Sequence, residues 1–416
     1  MADVFLVPGV RTPFVKAGTL FAQHTALELS RPVAETMNVK AAPDFMIWGQ
    51  VIPDATVSNI ARELIFEAKM SPDIPAFSTV MACSTSFVGT VEAAGMIGRS
   101  GFHLALVGGV ETMTHVPIAL KNSFADAIFA AFAKNPQTAL EMLQKVTPGD
   151  FDLPVNGWAN RQSGRSMGQH TEDTAQKFEI PRDQQDRIAL HSHQAAVAGQ
   201  DSGFFKDLVI PFAGVDHDSI PRRDTSYEKL ASLKPAFDHT GKGTLTAGNS
   251  SPNTDGAASI WVADAEGLKR LGNPAAVKLV DWQIAAMDYH VEGILMAPAR
   301  AIPRLLARNK LTFNDIAIWN IHEAFAAQVL ANIKMASDPA YRKEKAGVDF
   351  DLGTFPMDRL NPHGGSLAIG HPFAATGARI LSQAAKELSV LPKGSRGVVS
   401  ICADGGHGTV ALLETA

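Results

Sequence analysis

The stretch from Asn361 to Gly408 constrains this chain more than any other, because it carries Asn361-Pro-His-Gly-Gly, Gly370-His371-Pro372 and Cys402-Ala-Asp-Gly-Gly-His-Gly in close succession. Glycines and small residues in that density make a poor core strand. They suit backbone that turns tightly and approaches a ligand closely. Between the histidine and cysteine motifs, Pro372 to Leu388 is predicted as a helix: Pro372 suits a first-turn position, and Ala374, Ala375, Gly377 and Ala378 give it a small-residue face. His371 then stands at a helix N-terminus. Arg396 to Cys402 is predicted as a short buried strand, so the glycine loop after Cys402 leaves a strand end, where open α/β sheets place their sites.

The rest of the chain alternates in the same way. Strands are predicted at Val4 to Val7, Phe45 to Gln50, Pro75 to Met81 and Leu104 to Val110, and helices at about Thr25 to Met37, Ser58 to Ala68 and Phe87 to Gly98. That pattern is α/β. A weak internal repeat accompanies it: Cys83, a small-residue helix and Leu104-Ala-Leu-Val-Gly-Gly mirror His371, a small-residue helix and Val398-Val-Ser-Ile-Cys, and Ile47-Trp-Gly-Gln mirrors Ile318-Trp-Asn-Ile. Two similar halves would bring Cys83 and His371 to equivalent helix N-termini about a pseudo-two-fold axis.

A length of 416 residues favours two or three domains. The division read from the sequence is 1–117 with 246–270 as an N-terminal half, 118–245 as an inserted loop domain and 271–416 as a C-terminal half. Within the insertion, Phe124, Ile128, Phe129, Phe132, Leu140 and Leu143 suit amphipathic helices interrupted near Pro136, read as a core or oligomer face with a membrane or partner contact as the sharper alternative. Thr171 to Gly199 is predicted as one helix.

A formal charge of −5 gives no basic footprint for nucleic acid. With 46% apolar and 19% charged residues, and no uncharged apolar run of about 18 residues, the expectation is a soluble chain rather than a membrane-spanning one. Two cysteines far apart cannot make a disulfide framework, which points to a reducing compartment. Cytoplasm is the default expectation, with a mature mitochondrial matrix protein as the alternative.

A single cysteine is most often a small packed residue. Cys83 follows a strand and precedes a helix, however, where the helix N-terminus and a neighbouring imidazolium would stabilise a nucleophilic thiolate. His371 is the candidate base. Cys402 reads equally as a packed strand residue or as a second thiol that moves a proton to and from a carbon. His322, in Ile321-His-Glu-Ala-Phe, reads as a satisfied core histidine or as a donor to a carbonyl oxygen that gains charge. The Cys83 amide and those around Gly405 are candidate backbone donors. His191 and His193 are two apart on a predicted helix and face different ways, so no metal pair is expected. Arg222, Arg223 and Lys229 form either a solvated loop face or a set of charges for a nucleotide phosphate.

Val7-Pro-Gly-Val-Arg-Thr-Pro-Phe, Ala82-Cys83-Ser, Gly248-Asn-Ser-Ser-Pro-Asn-Thr-Asp-Gly, His322-Glu-Ala-Phe, Gly370-His371-Pro and Cys402 to Gly408, in that order, resemble the thiolase family along almost the whole chain. The resemblance implies two similar mixed-sheet halves in αβαβα layers with a loop domain, assembled as a homodimer or tetramer. It also implies thiolysis of a 3-ketoacyl-CoA to acetyl-CoA and a shortened acyl-CoA, reversible as a Claisen condensation, with coenzyme A as substrate and no permanently bound cofactor.

By the same resemblance Cys83 carries the acyl group, His371 activates it, Cys402 is the acid/base and His322 with His371 shapes one oxyanion hole. Backbone groups of Cys83, Asp404 and Gly405 shape the other. Arg222 and Lys229 fall where the family's loop contacts coenzyme A, and Ser251 near the pantetheine path. His322 in place of the commoner asparagine, the long section from Ala331 to Asn361, and His-Pro-Phe-Ala-Ala-Thr-Gly-Ala-Arg at 371–379 resemble the β-subunit of the fatty-acid β-oxidation trifunctional complex. That subgroup implies a hydratase/dehydrogenase α-subunit as partner, with residues 120–160 touching it, a membrane surface or the acyl tail.

Asp404 departs from the glycine or alanine usual in the family, and its carboxylate would oppose an oxyanion or raise a thiol pKa. Three other readings follow. A short-chain acetoacetyl-CoA thiolase is one; a condensing synthase using Cys83, His322 and His371 is another, and Cys402 argues against it. The third is a thiolase-like acyl-CoA-binding or scaffold subunit with weak catalysis, which Asp404 alone supports.

Overall fold

The computed structural model describes residues 3–99, 101–152 and 159–416. Eight principal strands, β1 (Phe5–Arg11), β2 (Phe45–Gly49), β3 (Leu104–Thr112), β4 (Thr254–Ala263), β5 (Val277–Ala286), β6 (Ile318–Ile321), β7 (Arg396–Ala403) and β8 (His407–Thr415), lie in the order β6-β7-β8-β5-β1-β4-β3-β2, with the short strand Ala76–Phe77 beyond β2.

The pairing repeats itself. In the N-terminal half β2 runs parallel to β3, which pairs antiparallel with β4, and β4 with β1. In the C-terminal half β6 runs parallel to β7, which pairs antiparallel with β8, and β8 with β5. The internal repeat read from the sequence therefore maps β2 onto β6 and β3 onto β7. The halves join where β1 pairs with β5, at Phe5 with Lys278 and Leu6 with Val277.

Strand periodicity explains how the faces are covered, since successive side chains point to opposite sides. On β2, Met46 and Trp48 meet Leu29 and Val33 of α1 (Ala26–Lys40) and Leu64 and Ile65 of α2 (Ile60–Glu67). Phe45 and Ile47 point the other way, into an interior shared by both halves. That interior contains Phe87 and Ala93 of α3 (Thr85–Met96).

The insertion adds α4 (Asn122–Lys134), α5 (Pro136–Leu143), α6 (Met167–Lys177) and α7 (Arg182–Asp201). Beyond β5, α8 (Pro298–Arg308) and α9 (Ala326–Ser337) cover the outer face of the C-terminal half, where Leu305, Leu306 and Val329 pack with Trp319, Val398 and Leu412. Ile380 and Leu381 of α10 (Thr376–Ser389) join α3 in the shared interior, against Val399 and Ile401. The layers run helix, sheet, helix, sheet, helix, the thiolase arrangement expected above.

Four local expectations change. Only Ala76 and Phe77 of the 75–81 run pair as strand, beside Met46 and Ile47. The helix expected over 171–199 is two helices, because Pro181 has no N–H to continue α6 and instead precedes α7. α3 and α10 start at Thr85 and Thr376, each after a 3₁₀ turn, Ala82–Ser84 and Phe373–Ala375. Finally, no residue of α4 is buried, and Phe129 and Phe132 are 72% and 60% exposed, so this face is not core in the chain. Residues 153–158 of the 120–160 section lie outside the described residues.

The Arg11-Thr-Pro-Phe turn now has a cause. Arg11 is buried and forms a two-pronged ion pair with Asp218, at 2.5 and 2.6 Å, and Asp218 also accepts from the Phe14 N–H at 2.8 Å. A fork of this kind fixes direction as well as charge and ties the insertion to the core. No helix among the described residues is long and apolar enough to cross a membrane.

Candidate active site

Cys83 sits in the 3₁₀ turn before α3, and the residue ahead of it, Ala82, has φ +44°. That left-handed backbone is unfavourable for a side chain and persists only where its surroundings enforce it. Thr85 enforces it: its buried hydroxyl donates to the Ala82 carbonyl at 2.7 Å and accepts from the Met81 N–H at 2.9 Å. The turn is anchored to the other half as well, through Ser84 Oγ and Thr409 Oγ1 at 3.0 Å.

His371 reaches this turn from the second half, with Nε2 3.1 Å from Cys83 Sγ. Its backbone N–H donates to Thr254 Oγ1 at 3.0 Å, and its Nδ1 lies 2.7 Å from Thr376 Oγ1. The Thr376 hydroxyl proton goes to the Pro372 carbonyl at 2.9 Å, so its oxygen must accept from Nδ1–H. The Nε2 lone pair therefore faces the thiol. Burial, followed by the Arg379 charge, pushes His371 down to about 3, so the imidazole is neutral.

This corrects the expected thiolate–imidazolium pair. Cys83 keeps some contact with solvent, but the crowding around its sulfur pushes the thiol up to about 12, and the Asp404 carboxylate adds to the effect. Backbone N–H groups of Asp404 and of Cys83 itself face the sulfur and oppose that shift. The resting pair is a neutral thiol and a neutral base, ready for proton transfer during attack.

His322 is fully buried at the end of β6, where its N–H still pairs with the Ser400 carbonyl at 2.8 Å. Asn361 closes the strand end: its side chain accepts from Ile321 N–H and donates to Ile321 O, both at 2.9 Å, which accounts for the asparagine of Asn361-Pro-His-Gly-Gly. The His322 ring stands 4.1 Å from the His371 ring, centroid to centroid. Nδ1 contacts Ser366 Oγ at 2.9 Å, and buried Nε2 has no partner among the described residues. One donor atom each from Cys83, His322 and His371 falls within a 4.8 Å cluster. Burial first, then His371 and Arg379, hold His322 well below the usual imidazole range.

Cys402 lies at the end of β7 opposite Gly408, almost wholly buried. Burial and then the Cys83 sulfur push its thiol well above the ordinary range. Asp404 Oδ1 accepts from Asn160 Nδ2 at 3.0 Å and from the Gly405 N–H at 2.6 Å. Gly405, expected as an oxyanion donor, is thus committed to its neighbour's carboxylate, while the Cys83 and Asp404 amides face the reacting sulfur.

The expected coenzyme A contacts are less distinct. Arg222 is exposed and its backbone N–H donates to His193 Nδ1 at 3.3 Å, whereas Lys229 is engaged with Asp224 at 2.9 Å. Ser251 is half-buried and its N–H donates to the Ala324 carbonyl at 2.9 Å, two residues past His322. His191 turns instead to the Leu360 carbonyl at 2.9 Å, so the two histidines of α7 do face apart.

Sequence reasoning missed Thr85, Thr376, Ser366, Arg379 and Glu111. Glu111, buried at the end of β3, accepts from the N–H groups of Ile52 (2.8 Å), Val51 (3.2 Å) and Ala374 (3.2 Å), and burial pushes it up to about 8. Only Thr376, within the helix predicted from Pro372 and five residues past His371, carried a local signal.

The thiolase N-terminal domain family matches residues 4–266 and the thiolase C-terminal domain family matches residues 273–415. The chain belongs to the thiolase family. A 3-ketoacyl-CoA thiolase of Vibrio cholerae is 35% identical over 423 residues, covering 99% of this thiolase chain and 97% of the relative. Human mitochondrial 3-ketoacyl-CoA thiolase superposes with TM-score 0.82 at 26% identity, covering 100% and 99% of the two chains. An Ascaris suum thiolase in complex with coenzyme A superposes with TM-score 0.80 at 25% identity, covering both chains fully.

Proposed function

We infer that this thiolase cleaves 3-ketoacyl-CoA with coenzyme A, giving acetyl-CoA and an acyl-CoA two carbons shorter. The observation that carries the reading is Cys83 Sγ against an imidazole nitrogen whose lone pair is turned toward it by Thr376. As Cys83 attacks the 3-keto carbonyl, its proton passes to His371 Nε2, and the amides of Cys83 and Asp404 meet the tetrahedral oxyanion. The carbon–carbon bond breaks, and His322 and His371 stabilise the acetyl-CoA enolate at its thioester oxygen. Cys402 gives its proton to the enolate carbon. The resulting thiolate takes the proton of incoming coenzyme A, whose sulfur attacks the acyl-Cys83 thioester. Collapse expels Cys83, which recovers its proton from His371.

Relatives named as 3-ketoacyl-CoA thiolases support a degradative direction and acyl chains longer than acetoacetyl. Arg222, Lys229 and Ser251 are the proposed contacts for the coenzyme A phosphates and pantetheine. The exposed apolar face of α4 supports burial against a second copy or an α-subunit. The test is thiolysis of acetoacetyl-CoA and of a long-chain 3-ketoacyl-CoA by wild type and Cys83→Ala. Turnover on the long-chain substrate that disappears in the variant is the expected result; no turnover on either substrate overturns the reading.

A further inference from the structure

Arg379, on the inner helix α10, is a buried guanidinium that no carboxylate reaches within 4.0 Å among the described residues. Leaving such a charge without a counter-ion is costly, so its hydrogen bonds carry unusual weight. It makes one good one: Nη2 donates to Ser366 Oγ at 2.7 Å, against a marginal 3.5 Å contact from Nη1 to Gln383 Oε1.

Ser366 is itself fully buried, and among the described residues its hydroxyl touches one further group, His322 Nδ1 at 2.9 Å. Arg379 can only donate, so the Ser366 oxygen is its acceptor, and the single hydroxyl proton is left to point at Nδ1. A neutral imidazole that accepts at Nδ1 carries its proton on Nε2. This is the buried nitrogen without a partner among the described residues, beside the His371 ring. The opposite tautomer would leave the Ser366 proton without an acceptor and turn a lone pair toward the space where substrate charge grows.

The serine is held where this requires. Glu323 accepts from the Leu367 N–H at 3.2 Å, and Ser192 Oγ accepts from the Gly365 N–H at 3.0 Å, fixing the short helix Ser366–Ile369 from both sides.

We propose that Arg379 and Ser366 are positioning residues that set His322 as a hydrogen-bond donor, with its proton on Nε2, toward the thioester oxygen of the bound substrate. The proposal rests on the thiolase reading for its substrate but not for its tautomer. In this chain the histidine is accompanied by a serine and an arginine that fix its proton.

The test uses the intact protein labelled with ¹⁵N-histidine, with the His322 signals assigned by their loss in His322→Gln. Wild type is expected to show protonated Nε2 and bare Nδ1 at His322, and Ser366→Ala to lose that preference. In parallel, Ser366→Ala should lower the thiolysis kcat by about 10²-fold, with KM unchanged. A wild-type His322 protonated at Nδ1 overturns the proposal even if the variant fails to fold. So does a Ser366→Ala protein that keeps the wild-type tautomer, whatever its rate. Absence of thiolysis by wild type would overturn the substrate reading alone, because the tautomer is measured without turnover.

Discussion

Gly377 of α10 lies so close to Phe87 of α3 that a side chain has no room between them: an added Cβ would stand 2.9 Å from Ser86 Oγ and nearer still to the Phe87 backbone nitrogen. Ser86 uses this proximity, accepting the Ala378 N–H at 2.8 Å. The two helices that follow Cys83 and His371 therefore meet at their N-terminal turns, and the 3.1 Å contact between thiol and imidazole depends on that approach.

Gly377→Ala should destabilise the protein by about 1–3 kcal/mol, the usual range for overpacking a core. It should also lower thiolysis more than its residual folded fraction explains. Urea unfolding with parallel rate measurements checks this, and an unchanged midpoint would mean that the helices part without difficulty.

Cys83 should behave as a protonated thiol rather than a standing thiolate. With its pKa pushed up to about 12 and that of His371 down to about 3, iodoacetamide alkylation should accelerate roughly tenfold per pH unit from about pH 7 to about pH 10. A plateau beginning below about pH 8 would mean that an ion pair already exists at rest.

Asp404→Asn keeps an acceptor for Asn160 and removes the charge that raises the Cys83 thiol. The variant should be alkylated faster than wild type at every pH in that window. Equal rates would show that the carboxylate does not act on the sulfur.

Cys402→Ser should still form acetyl-Cys83 from acetyl-CoA, because His371 Nε2 faces the Cys83 thiol without it. Thiolysis should fall by about 10²–10⁴-fold, the range for losing a positioned acid/base group. Mass spectrometry of the acetyl-enzyme separates the two steps. An unaffected thiolysis rate would remove Cys402 from the chemistry and favour a synthase-type site.

Glu111 predicts a pH effect on stability. Its folded-state pKa, about 8, lies above the ordinary 4.5, so its contribution is complete below 4.5 and is lost as pH rises through about 8. Glu111→Gln should be less stable near pH 5, where it replaces a well-bonded acid, yet decline more slowly toward pH 9 than wild type, by up to about 1.4 kcal/mol per pH unit. Thermal melts across that range decide it, and parallel declines would sink the idea.

The motifs that announced the site did so because their chemistry is local. Gly370 at φ +107°, packed against Thr254, and Asn361 closing its own strand end leave a mark in consecutive residues. The β2/β6 and β3/β7 correspondence was also visible, since Ile47-Trp and Ile318-Trp fill equivalent strand positions. The electrostatics were not. Whether His371 is charged depends on burial and then on Arg379, and whether Cys83 ionises depends on burial and then on Asp404, which is supplied by the other half. Arg379, Ser366 and His322 converge from separate segments, so no spacing rule links them. The apolar stripe of α4 was read correctly as a face, but periodicity cannot tell a face turned to the core from one turned outward.

The seam between the halves has a further consequence. Val277 pairs with Leu6 on one side and Thr415 on the other, which sets those two residues two strand spacings apart, about 10 Å. A few added residues could bridge that gap. The exposed turn at Gly272 and Asn273, both left-handed, offers a place to open the chain instead. Opened there and closed at the seam, the chain would be translated with the imidazole before the thiol, and the pairing of Leu6 with Val277 that joins the halves would remain.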